Sequence, residues 1–420
     1  MHRVKIGVLG AGRGRSMMNY CKQASHAELV AVCDNNPVFL DRVKRELDDS
    51  SIAYYSSFDE FLSHDMDAVV LANFANEHAP FAVRCLRAGK HVISEVLPCQ
   101  NMKEAVELVE AVESTGKIYA YAENYCYMPA PREMKRLYDA GELGEFEYGE
   151  GEYMHNCESI WPDITQGNPD HWRNNISATF YCTHSIGPLI HISGLRPVRV
   201  SGFELPYNAR TARMGAKSGS GAVEMITLEN GAVIKSLHGL GIARNSIWYS
   251  VYGSKGRLES AREDAEADGV SRLYRNLDAF EGENATRVES YEPKDSQSEE
   301  AKSYGHGSSD YYTMYNAIEK IRGSSEADAI DVYEALDMFL PGLFAYRSIL
   351  QGGAPMEVPN LREAAVRDRY RNDTACTDKK AAGEQYIPSY SKGNPEVPPE
   401  VYQLTRERWL QSMKEQQTAK

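Results

Sequence analysis

The chain lacks any long apolar run: charged residues interrupt every hydrophobic stretch well before the length that a membrane helix needs, which argues against a membrane partner. It also lacks a Cys-x-x-Cys pair. Its eight cysteines (21, 33, 85, 99, 126, 157, 182 and 376) lie far apart without a repeated spacing, so neither a metal site nor a disulfide framework is expected, and most read as buried thiols. No Lys/Arg-rich segment offsets the formal net charge of −14, so a nucleic acid backbone would be repelled. Met1-His2-Arg3-Val4-Lys5-Ile6 runs into an apolar strand without the features of a secretory leader, which points to a cytoplasmic address.

What is present is an ordinary globular composition. The 420 residues, 42% hydrophobic and 25% charged, can bury a large core spread over about two or three domains. The first third alternates short apolar runs (4–9, 28–33, 67–72, 91–94 and 118–121) with amphipathic stretches (57–62, 80–88 and 102–114), the pattern of β-α-β units around a parallel sheet. Beyond about residue 143 the runs alternate apolar and polar residues, as in an open antiparallel sheet, and Glu229-Asn230-Gly231 between two such runs is a hairpin signal. This gives an α/β Rossmann-type domain over 1–124, an α+β domain with an open antiparallel sheet over 125–360, and a carboxyl-terminal arm over 361–420 free to pack on another subunit. The polar, acidic stretch 261–305 reads as a long surface connection or an insertion over the site.

Gly10-Ala11-Gly12-Arg13-Gly14-Arg15 follows a strand and opens a helix, where glycines let a pyrophosphate approach the backbone. The third glycine stands one position early relative to G-x-G-x-x-G, and a bare strand-to-helix turn would look the same. Context favours a dinucleotide: Asp34 ends the second strand about twenty residues on, where a carboxylate bonds the adenosine ribose and repels a 2′-phosphate. NAD is therefore expected over NADP, although Arg13 and Arg15 weaken the preference.

The segments Ala72-Asn-Phe-Ala-Asn-Glu-His78, Leu86-Arg-Ala-Gly-Lys-His-Val92, Glu95, Gly144-Glu-Phe-Glu-Tyr-Gly149 and Ile330-Asp-Val-Tyr-Glu-Ala335 resemble the Gfo/Idh/MocA superfamily of sugar and polyol oxidoreductases. Many of its dehydrogenases carry Glu-Lys-Pro where this chain has Glu95-Val96-Leu97-Pro98, so the ammonium that poises a substrate hydroxyl is missing. A second set, Glu123-Asn124-Tyr125-Cys126-Tyr127, Gly149-Glu-Gly-Glu-Tyr-Met-His155, Tyr181-Cys182-Thr183-His184-Ser-Ile-Gly187-Pro188 and Gly305-His306-Gly307, resembles the branch holding NAD-dependent glycoside hydrolases, α-N-acetylgalactosaminidases among them.

That resemblance implies transient oxidation of a sugar at C3, elimination at C1, water addition and re-reduction, with NAD recycled. It assigns Asn73, His78, Glu95 and Asn124 to the dinucleotide, Tyr181, His184 and Tyr127 to catalysis, and His155, Trp172, Arg173 and His306 to the carbohydrate, with no metal. Tyr181 and His184, three apart, would share one face of a helical turn. A satisfied buried Tyr/His pair is the plain alternative. The resemblance also implies a homo-oligomer, dimer or tetramer. Two other functions stand beside the glycosidase: a net sugar or glycoside 3-dehydrogenase, and a non-catalytic NAD-binding sensor.

Overall fold

The computed structural model describes residues 3–262, 270–277 and 287–418, which form two compact units. The units are discontinuous in sequence. The first takes residues 1–133, 292–337 and 360–373, and the second 134–291, 338–359 and 374–420.

The first unit is built on six parallel strands: β1 (Val4–Leu9), β2 (Ala27–Cys33), β3 (Ala53–Tyr55), β4 (Ala68–Leu71), β5 (His91–Ser94) and β6 (Tyr119–Tyr121), in the order β3-β2-β1-β4-β5-β6. That order reverses direction beside β1, where such sheets bind dinucleotides at the strands' carboxyl ends. The central strands are apolar because helices cover both faces: Ile6, Val8, Val69, Val70 and Ile93 are fully buried, each contributing about 1.5–3 kcal/mol. Local signals set the helix ends. Asn36 accepts from Val38 N and, with Pro37, starts α2 (Pro37–Leu47), which follows α1 (Arg15–Gln23). Asn101 caps α3 (Met102–Thr115), which Gly116 ends at φ 62°.

Among the described residues the second unit holds nine strands, including β7 (Phe146–Asn156), β8 (Pro197–Glu204), β9 (Ala222–Leu228), β10 (Val233–Gly239) and β11 (Gly241–Gly253). The Asn230-Gly231 turn joins β9 and β10 antiparallel, with Gly231 at φ 89°. One pairing departs from the expected antiparallel sheet: β7 and β10 run parallel. A parallel pair requires a crossover, and the long excursion from 157 to 232 supplies it. Part of the 261–305 stretch extends this sheet as β13 (Leu273–Leu277) and β14 (Arg287–Tyr291), beyond β12 (Gly256–Ser260). Residues 263–269 and 278–286 of that stretch lie outside the described residues.

The helix α4 (Thr183–Ser193) is pressed onto β7. A Cβ at Gly151 would meet Ser185 O at 1.8 Å, so only glycine lets the helix approach the strand this closely. The expected arm folds back on its own chain. Arg367 pairs with Glu113 at 2.9 Å, and Tyr402, in the last helix (Pro399–Thr418), donates to Gly215 O at 3.0 Å. Contacts within its own chain thus anchor the tail at Arg367 and at Tyr402.

Candidate cofactor cradle and active site

In the first unit the three glycines of the β1–α1 turn have separable roles. Gly10 sits at φ 102° with Ala72 O 2.3 Å from a would-be Cβ, and Gly14 would place one 2.4 Å from Gly10 O and 2.6 Å from Val8 Cγ1. These two serve the tight turn and the close helix–strand contact. Gly12 has nothing within 4 Å of that position, so the backbone there is open to a ligand. A phosphate group fits such a turn at a helix amino terminus. Asp34, just after β2, accepts from Ala11 N at 2.7 Å and Asn36 N at 2.8 Å, which ties the glycine turn to the end of that strand.

Arg13 does not point into this opening alone. Its guanidinium pairs with Glu95 at 2.6 Å and Asp310 at 3.2 Å, and Asp310 also meets His306 Nδ1 at 3.1 Å. Burial disfavours its charge, but the two carboxylates overcome this and raise its pKa. Asp310 suffers the same burial, yet His306 and Arg13 hold it well below the usual carboxylate range. Arg15 turns elsewhere, pairing with Glu46 on α2 at 2.6 Å.

The other residues assigned to the dinucleotide divide. Asn73 donates to Glu77 at 3.2 Å. His78, buried, has Leu97 O at 2.9 Å from Nδ1 and Asn73 O at 3.3 Å from Nε2; burial lowers its pKa to about 4, so the neutral ring donates to only one of the two carbonyls. Asn124 is buried in the short helix Asn124–Tyr127. Tyr127 is corrected here: its buried hydroxyl donates to Asp328 O at 2.6 Å, and burial pushes its pKa far up. Those are the properties of an anchor and leave it unsuited to proton transfer at neutral pH. His306, expected at the carbohydrate, is bound to Asp310 within the first unit.

The second unit collects the remaining candidates. Tyr181 lies in the turn before α4 and His184 in its first helical turn, yet their rings stack at 5.7 Å and 24°. Tyr249 Oη donates to His184 O at 2.5 Å and fixes the start of the helix. Tyr153 packs on His184 at 4.6 Å and bonds His155 Nδ1 at 3.0 Å. Arg173 stands over both Trp172, at 4.8 Å, and Tyr181, at 5.1 Å. Tyr181, Arg173 and Trp161 line a cavity with His238. The cluster joins a histidine, a tyrosine and a fixed cation beside aromatic faces, a set able to move protons and to stack on a sugar ring.

Sequence reasoning missed Asp310, Tyr153 and the buried pair Glu224 and His238, which are 3.9 Å apart. Tyr153 was findable, since it is two residues from His155 on a strand and so shares its face. Asp310 stands four residues past His306, but only the fold brings it to Arg13. Among the described residues no group of three or more His, Cys, Asp or Glu side chains is placed to hold a metal ion, and no helix is long and apolar enough to cross a membrane.

Comparison with known proteins bears on the fold and the cofactor. Residues 4–123 match the oxidoreductase family with an NAD-binding Rossmann fold, and residues 194–367 match the glycosyl hydrolase 109 C-terminal domain. A glycosyl hydrolase family 109 protein of Solibacter usitatus is 26% identical over 405 residues, 87% of this chain and 90% of that protein. One from Bacteroides thetaiotaomicron is 24% identical over 86% of this chain and 85% of its own length. Among solved structures, an Agrobacterium radiobacter oxidoreductase in complex with NAD⁺, L-tartaric acid and magnesium superimposes with a TM-score of 0.67 at 16% identity, covering 85% of this chain and 98% of that one. An aldose-aldose oxidoreductase from Caulobacter crescentus gives 0.66 at 18%, over 85% and 100%. The chain is thus similar to the Gfo/Idh/MocA oxidoreductases over its NAD-binding Rossmann domain and to glycosyl hydrolase family 109 over residues 194–367.

Proposed function

We propose that the protein is an NAD-dependent glycoside hydrolase in which the cofactor is recycled. The carrying observation is the stacked Tyr181–His184 pair with Arg173 over the tyrosine ring. Bound NAD supplies a reversible hydride acceptor for C3 of the sugar, which acidifies the proton on C2. The chain's own residues do the rest. His184 takes the proton of the C3 hydroxyl, and Tyr181, ionised beforehand, takes the C2 proton onto its phenolate oxygen while the C1–O bond breaks and the departing oxygen takes a proton from water. Arg173, over the tyrosine ring, favours the phenolate that has to form before that transfer. Trp172, with His155, gives the sugar an aromatic wall and a hydrogen-bonding edge. Gly12 and Asp34 hold the dinucleotide.

Val96 in place of a lysine supports hydrolysis over net 3-dehydrogenation, because the alkoxide of a plain dehydrogenase has no ammonium beside Glu95. An NAD-binding sensor would leave every glycoside intact. The protein is further proposed to act in the cytoplasm as a homo-oligomer joined through the open face of the second sheet, where Phe203, Met225 and Tyr252 are exposed. The deciding experiment is incubation with α- and β-linked nitrophenyl glycosides in heavy water. Cleavage with deuterium at C2 and no net NADH is expected. Cleavage without exchange removes the elimination mechanism, and stoichiometric NADH makes the protein a dehydrogenase.

A further inference from the structure

The segment Gly305–Ser308 enters the helix α5 (Ser309–Ile321) through three successive left-handed residues: His306 at φ 51°, Gly307 at 61° and Ser308 at 75°. Two of them carry side chains, and such a backbone persists only where its surroundings hold it. Local bonds do part of this, with Ser309 Oγ donating to His306 O at 2.7 Å and Tyr311 N to Ser308 O at 3.1 Å. The long-range hold is Asp310. Its carboxylate, 3% exposed, binds His306 within the segment and the Arg13 guanidinium from the phosphate turn.

Arg13 cannot leave without consequence, since Glu95 and Asp310 are both nearly buried and a carboxylate stripped of its cation there is costly. The guanidinium therefore works as a tie, holding residues 305–310 against Gly10–Gly14. We propose that Arg13, Asp310 and His306 form a latch that sets how long the dinucleotide stays bound, with Asp310 as its keystone. A cofactor returned to its starting state each turnover gains nothing from rapid release, so slow exchange suits the chain. The inference concerns the cofactor cradle and holds whether the net reaction is hydrolysis or oxidation.

The test is the rate of NAD release from the purified, loaded protein, followed by loss of bound dinucleotide on dilution into a scavenging enzyme. Asp310→Asn, nearly the same shape, is expected to release NAD at least tenfold faster while the cofactor-free protein still melts cooperatively. Arg13→Lys keeps the charge but cannot fork between two carboxylates, and should do the same. The double variant should release no faster than the faster single one, as members of one latch are not additive. Release within twofold of the parent in both single variants overturns the proposal. Should Asp310→Asn fail to fold, His306→Ala, at a half-exposed side chain, carries the test: about threefold faster release supports the latch and an unchanged rate overturns it.

Discussion

Tyr181 and His184 stack their rings at 5.7 Å although only His184 lies within a helix. Three residues on one helical turn would have set this contact by geometry alone. Here Tyr181 sits in the preceding turn, between the rings of Trp172 and His184 and below Arg173. The tyrosine is held by these neighbours and by its carbonyl, which accepts from His184 N at 3.3 Å in the turn that enters the helix.

Tyr181→Phe should keep that stack and lose the proton-carrying oxygen. Glycoside cleavage is expected to fall by about 10²–10⁴-fold, the usual worth of a general acid–base group. Bound NAD should be unaffected, since the substitution removes one oxygen and leaves the Gly10–Gly14 turn and Asp34 unchanged. Equal loss of cofactor in the purified variant would show that the residue supports the fold and not the chemistry.

The glycines of the phosphate turn should separate by experiment. Gly12→Ala meets open space, so it is expected to change stability by less than about 0.5 kcal/mol while weakening NAD binding about tenfold. Gly14→Ala meets Gly10 O and Val8, and should cost about 1–3 kcal/mol in urea unfolding. Calorimetric titration with NAD on both variants checks the first half of the prediction.

Gly151→Ala should push α4 off β7, because Ser185 O leaves no room for a methyl group. A loss of about 3 kcal/mol or more is expected, with cleavage activity falling in the fraction that remains folded, as His184 moves with the helix. Urea midpoints give the first number and active-fraction kinetics the second.

Stability should depend on pH through groups outside the reaction. Burial pushes the Glu224 carboxyl from its ordinary 4.5 up to about 8. A group raised in the folded state contributes fully below its unfolded value and loses that contribution as pH rises towards about 8. Glu224→Gln should therefore flatten the alkaline limb of a stability profile between about pH 5 and 9. The acid limb has another source: burial lowers His78, His171 and His238 from 6.5 to about 4, so stability present above 6.5 is lost as pH falls through that window. Unfolding midpoints across this range, with and without the substitution, check both limbs.

Much of the first unit was legible because it is local. Parallel strands buried on both faces read as apolar runs, the amphipathic stretch 102–114 reads as a helix, and a glycine turn followed by Asp34 announces a dinucleotide. The second sheet was legible in its hairpin but not in its one parallel pair, which depends on what the chain does between 157 and 232. Tyr127 was misread because a motif gives a residue's identity but not the bond its hydroxyl makes, here to Asp328, 201 positions away.

The sequence by itself determined the Rossmann domain and its NAD cofactor, since both rest on residues close together in the chain whose conformations are set by neighbours. Only the tertiary structure decided that Arg13 is spent on Glu95 and Asp310, that His306 belongs to that network, and that Glu224 lies buried beside His238. Those are contacts between distant segments, and packing and charge pairing, which no local pattern encodes, bring them together.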